Sequence, residues 1–135
     1  MVSDKFRIRH SYLIEQYQYI ESHLEGIYAT CCRSGFHVGL AEVEKSNIGK
    51  IVQAIKHLEI KMGKEILSQE LYQKIERVAQ ERNFWCHNCY FDLAFDKEGS
   101  IKSSQNRKRF NDAIKEAEEL REDLFDLKMN FLSAV

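Results

Sequence analysis

Residues Arg82-Asn83-Phe84-Trp85-Cys86-His87-Asn88-Cys89 concentrate side chains able to do chemistry. Histidine, with an unperturbed pKa near 6.5, is suited to giving or taking a proton near neutrality, so His87 is the candidate acid or base. Arg82 offers the forked donors of a guanidinium to an oxyanion such as a phosphate. Asn83 stands four residues before His87 on the same helical ridge, where its amide could orient the imidazole or hold a substrate; a polar residue near a helix start would look the same. Cys86 and Cys89 form a Cys-x-x-Cys pair, but the other cysteines, Cys31 and Cys32, are adjacent, a poor spacing for a tetrahedral zinc site. No metal is expected. A thioredoxin-like redox role needs a βαβ setting that the pattern lacks. Covalent haem needs His after the second cysteine, where Tyr90 stands. No Glu-x-x-His pair supports a di-iron bundle, and no Gly-rich loop supports an NTPase or dinucleotide enzyme. No cofactor is expected.

The elements that must position these groups are helical. The 135 residues contain no proline and only 6 glycines, which favours long helices, and 44% are apolar, enough for one core. Leu13, Tyr17, Ile20, Leu24, Ile27 and Cys31 step by three and four, predicting a helix over 9–32 with Cys31 in the core. An irregular stretch is expected over 36–45. Ser46 or Asn47 should cap a helix carrying Ile48, Ile51, Ile55, Leu58 and Met62 that stops near Gly63, and a third helix should follow Ser68. After a turn at Phe95–Ser100, Phe110, Ala113, Ala117, Leu120, Leu124, Leu127 and Phe131 mark the last. The expectation is an all-α, up-and-down bundle of four to five helices forming a single domain over 1–135.

Within this pattern Arg82 falls in the register of Leu71, Ile75 and Val78, and His87 falls in the row of Phe84, Phe91 and Ala94. Burying either without a partner costs several kcal/mol, so something must compensate them. A helix break near Gln80–Glu81 could turn both to water. If both charges were instead buried at a cost, their removal would raise the melting temperature. On a straight helix, moreover, five residues separate Arg82 and His87 by about 140°. Either the helix is distorted there or a second subunit completes the site.

The Arg-x4-His element with Asn in its second place, in an all-helical chain of this length, resembles the HEPN family. The likeness covers the order of elements: helices, the motif, aromatic residues (Tyr90, Phe91), a turn, and a long charged helix. It implies a metal-independent endoribonuclease, a toxin or phage-defence effector, that cleaves single-stranded or looped RNA to a 2′,3′-cyclic phosphate. His87 would move the 2′-hydroxyl proton and Arg82 would stabilise charge on the phosphoryl oxygens. The resemblance also implies a homodimer with motifs from both protomers in one cleft, and it admits an antitoxin or regulatory protein as partner. In members paired with a minimal nucleotidyltransferase, a tyrosine stands two places after the histidine; here Cys89 holds that place and Tyr90 follows, which argues against that antitoxin. The competing reading, from some HEPN domains without activity, is a non-catalytic module that binds a protein partner or RNA.

Lys102, Arg107, Lys108 and Arg109 place four cations near the start of the last helix, where they could track an RNA backbone or simply face water. Farther on, Glu116, Glu118, Glu119, Glu122, Asp123 and Asp126 would repel nucleic acid. Lys+Arg 20 against Asp+Glu 21 leaves a formal charge of −1, which excludes a polybasic protein. No apolar run suits a signal peptide or membrane span, and the four cysteines then read as reduced thiols of a cytoplasmic protein.

Overall fold

Ser3 starts the first helix earlier than the apolar spacing does: its Oγ accepts the N–H of Phe6 at 3.1 Å, and Asp4 follows in the first turn. In the computed structural model, which describes residues 1–134, helix α1 spans Asp4–Cys31, α2 Phe36–Val43, α3 Ile48–Met62, α4 Gln69–Asn83, α5 Cys89–Asp92 and α6 Ser104–Ser133; a π turn at Phe84–Asn88 joins α4 to α5. The chain is an all-α helical bundle. Among the described residues the only strand-like pairing is one antiparallel bridge, Phe95 to Ile101.

The caps explain most boundaries. Asn47 Oδ1 accepts the N–H of Lys50 at 2.9 Å, and Gly63, at φ +62°, ends α3 in the left-handed conformation that glycine tolerates. Ser68 Oγ accepts from Leu71 N at 3.1 Å, and Ser103 Oγ from Asn106 N at 3.2 Å. The segment expected to be irregular over 36–45 is instead largely the helix α2. It buries only Gly39 and Val43, while Phe36 at its start is exposed. Its contact with α1 depends on a missing side chain: a Cβ on Gly39 would lie 2.8 Å from Cys32 Sγ. Cys31, expected in the core, is only partly buried and packs against its margin.

Packing direction follows from the cross-helix bonds. Arg9 reaches Asn111 (2.7 Å), Arg121 reaches Gln16 (3.0 Å) and Lys128 reaches His23 (2.9 Å), so α1 and α6 lie side by side and parallel. Helix α4 runs antiparallel to both: Arg82 meets Glu21 and Trp85, just past its end, meets His10 on α1, while Lys74 meets Asp123 and Glu81 meets Arg109 on α6. The α3–α4 connection is tied by Glu59, whose carboxylate accepts from Ile66 N, Leu67 N and the Tyr72 hydroxyl. The buried apolar residues of α1, α3, α4 and α6 form one cluster, with Leu13, Ile20, Leu24, Ile51, Ile55, Trp85, Ala117, Leu120 and Leu124 at most 1% exposed. No helix among the described residues is long and apolar enough to cross a membrane.

His23 is an acid-sensitive point in this packing. It is 8% exposed, lies against the Phe125 ring, and takes a hydrogen bond from Lys128 on Nδ1. The lysine stem crosses Gly26, where a Cβ would sit 2.9 Å from Lys128 Cδ. Burial, then the cations Lys128 and Arg121, push the imidazole down to about 4. A histidine held neutral in the fold leaves the unfolded chain binding more protons, so its contribution is complete above about pH 6.5 and is lost as pH falls toward 4. Between pH 7.5 and 5 the loss is about 2 kcal/mol. Urea unfolding at both pH values should show this loss in the wild type and a much smaller one in His23→Gln, whose amide oxygen can take the same lysine; equal losses would acquit His23.

Candidate functional site

Helix α4 delivers Ile75 and Val78 to the core and then meets bulky aromatics. At Phe84–Asn88 the backbone widens into a π turn, whose i→i+5 hydrogen bonds take one more residue per turn than the α-helix uses. Trp85 and Cys89 are both inside, at 0% and 1% exposure. The irregularity has its own support. The Trp85 carbonyl accepts His10 Nε2 from α1 at 2.7 Å and Cys89 Sγ at 3.3 Å. Because a carbonyl can only accept, His10 carries its proton on Nε2. The His10 ring stacks on Phe6 and meets Tyr90 edge-on, so it is fixed in place. Beneath the turn, Glu81 accepts Trp85 Nε1 at 3.3 Å and both Nε (3.0 Å) and Nη2 (2.8 Å) of Arg109, whose guanidinium lies 3.7 Å over the Phe84 ring.

The distortion therefore lies inside the Arg-x4-His element, beyond the Gln80–Glu81 position considered from sequence. A five-residue step suits an i→i+5 turn better than a straight α-helix, which narrows the angular gap between Arg82 and His87. The two side chains nonetheless enter different surroundings. Arg82 turns to α1, where Nε donates to Glu21 Oε1 at 2.7 Å, with side chains 24% and 19% exposed. His87 reaches water, and Phe91, four residues on, is the most exposed aromatic ring of the described residues at 88%. Among the described residues no hydrogen bond joins Arg82 to His87. Asn83 is exposed on the solvent side. Each interruption of the apolar pattern is thus compensated, one by a carboxylate and one by solvent.

The basic run is dispersed. Lys102 is exposed, Arg107 Nη1 donates to the carbonyls of Ile101 (2.9 Å) and Lys102 (3.0 Å), Lys108 pairs with Asp112 at 2.7 Å, and Arg109 belongs to the Glu81 clamp. The four cysteines are free thiols, and burial pushes Cys86 and Cys89 above the usual thiol range, which disfavours the thiolate form. Among the described residues no group of three or more His, Cys, Asp or Glu side chains is arranged to hold a metal ion. The Tyr17 hydroxyl is buried beside this region with no hydrogen-bond partner among the described residues, and burial, then the charge of Glu81, raises its pKa well above the usual phenol range.

Three residues central to this arrangement, His10, Glu21 and Glu81, escaped the sequence reasoning. His10 and Glu21 act on partners far along the chain, as Glu81 does on Arg109, and no local spacing marks such pairing; only the i,i+4 step from Glu81 to Trp85 is local. Comparisons with protein-family models, with curated proteins and with solved structures give no match to this chain.

The environments of the two motif residues predict unequal effects on folding. Arg82 is a partnered charge, so its removal cannot bring the gain in melting temperature that an uncompensated arginine would allow. Arg82→Ala should lower unfolding free energy by about 1–3 kcal/mol by orphaning Glu21, while His87→Ala should stay within about 0.5 kcal/mol of wild type. Denaturant titrations of both variants, with Glu21→Leu/Arg82→Met as the charge-free pair, would check this. An Arg82→Ala protein as stable as wild type would remove the Glu21 pair from the account.

Proposed function

We propose that the chain is a metal-independent endoribonuclease of HEPN type, a toxin or phage-defence effector, acting as a homodimer on single-stranded or looped RNA. The observation that supports this best is the π turn between Arg82 and His87. Such turns give up helical regularity and occur frequently at functional sites; this one is braced by His10 and Glu81 and leaves the His87 imidazole in water. In the proposed reaction His87 removes the 2′-hydroxyl proton, the 2′-oxygen attacks phosphorus, and the 5′-oxygen leaves with a proton, giving a 2′,3′-cyclic phosphate. Two copies of the motif across a dimer cleft would supply one imidazole to accept a proton and one to return it. Arg82 would move from Glu21 to the phosphoryl oxygens as their charge grows. An A-form duplex holds the ribose and phosphate away from in-line attack, so unpaired RNA is the substrate class.

The non-catalytic module has one observation in its favour: Arg82 Nε is already engaged by Glu21. Cleavage assays separate the two readings. The wild type should cut unpaired RNA in EDTA and arrest growth when expressed. His87→Ala should lose about 10²–10⁴-fold and Arg82→Ala about 10²–10³-fold. Because both act in one transition state, the double variant should lose far less than the product. A His87→Ala protein that cuts as well as wild type refutes the nuclease reading, and a monomer at high micromolar concentration in sedimentation refutes the dimer.

A further inference from the structure

Where the first turns of α1 and α6 lie side by side, a cavity of about 160 Å³ is lined by Lys5, Arg9 and Arg107, with Ser100 at its edge and the buried rings of Phe6 and Phe110 in its wall. No acidic side chain lines it. Asp96, in the adjoining turn, is occupied with the N–H groups of Glu98 (2.9 Å) and Ser100 (3.0 Å). Two of the three cations are held in place: Arg107 by the carbonyls of Ile101 and Lys102, and Arg9 by Asn111 Oδ1 at 2.7 Å with its guanidinium 5.1 Å from the centre of the Phe110 ring.

This placement carries a cost. Lys5 and Arg9 are like charges at i,i+4, and all three cations stand near the starts of helices, where the macrodipole disfavours them. In a chain of net charge −1, gathering three cations without an acid is stabilised when an anion occupies the space between them. The cavity admits a phosphoryl group and is too small for a whole nucleotide. Its wall belongs to the aromatic cluster that backs the π turn: Phe110 contacts Phe6 and Trp85, with ring centres 5.0 and 4.8 Å apart. An anion seated here is therefore held rigidly relative to the motif.

We propose that Lys5, Arg9 and Arg107 form a phosphate subsite that grips the backbone of unpaired RNA at a nucleotide away from the bond being cut. The identity of the ligand rests on the ribonuclease reading; the site itself rests on the cavity. The test is binding of a labelled, unstructured RNA oligonucleotide to the uncleaving His87→Ala chain, measured by fluorescence anisotropy over a range of salt. Lys5→Gln/Arg9→Gln should weaken binding about 5–20-fold at low salt and flatten the log–log salt slope by about 0.7 for each phosphate that the variant no longer neutralises. Arg107→Gln should do the same, and because its carbonyl bonds make it the variant at risk of misfolding, Lys5→Gln alone, at an exposed residue, serves as the control for fold. In the His87-containing background the same substitutions should raise KM and leave kcat unchanged on RNA. Folded variants that bind RNA with unchanged affinity and slope overturn the subsite even if the wild type cleaves. Saturable binding of inorganic phosphate without RNA binding reassigns the cavity to a small anion and also overturns it. Charge-dependent RNA binding by a wild type that cuts no RNA upholds the subsite and defeats only the nuclease.

Discussion

The hydrogen bond from His10 to the Trp85 carbonyl fixes the local geometry on which the motif depends. A regular helix at this point would use its carbonyls in the i→i+4 ladder and would need no side chain from α1. At the wider turn the Trp85 carbonyl takes a side-chain donor from α1, His10, and a second from the following turn, the thiol of Cys89. With the backbone so held, Trp85 fills the core, Arg82 faces α1 and His87 faces water. Glu81 secures the same segment from the α6 side by accepting from Trp85 and Arg109 together. Two carboxylates, Glu21 on α1 and Glu81 on α4 itself, thus stand beside the motif, and each holds an arginine.

The long elements were legible because their evidence is local and repeated. The α1 stripe from Leu13 to Ile27, the caps at Asn47 and Ser68, the stop at Gly63 and the turn before α6 all follow from spacing or from one residue's conformational preference. Helix α2 was not legible, since at eight residues it is short and it buries only Gly39 and Val43, too few positions to mark a period. The polar interruptions at Arg82 and His87 were visible as anomalies, and so was the need for a distortion between them. The manner of compensation was not visible. Glu21 lies 61 positions from Arg82, and His10 lies 75 from Trp85, so their meeting is a property of helix packing alone.

Charge in this molecule is sorted more finely than its near-zero sum suggests. The run after the turn reads as one basic track, yet Arg109 stacks on Phe84 and clamps Glu81, and Lys108 is spent on Asp112. The cations that share an acid-free cavity come from two helices, and only Arg107 belongs to the original run. Proximity in sequence and proximity in space differ here because α1 and α6 are parallel neighbours, so the start of one helix joins the start of the other.

That parallel pairing also sets the order in which the molecule can assemble. Helices α1 and α6 make the most extensive helix–helix contact in the fold, though roughly 100 residues separate their bonded partners. Closing so long a loop costs chain entropy before any contact returns it, so nearer pairs such as α1 with α2 and α3 can form first while the α6-facing side of the first helix waits. On the ribosome, Leu13, Tyr17, Ile20 and Leu24 remain without their α6 neighbours until the last helix has emerged. Arg109 arrives with that helix. The clamp on Glu81 and Phe84 that steadies the motif is therefore among the last features to form, and a nascent chain lacks the braced motif until then.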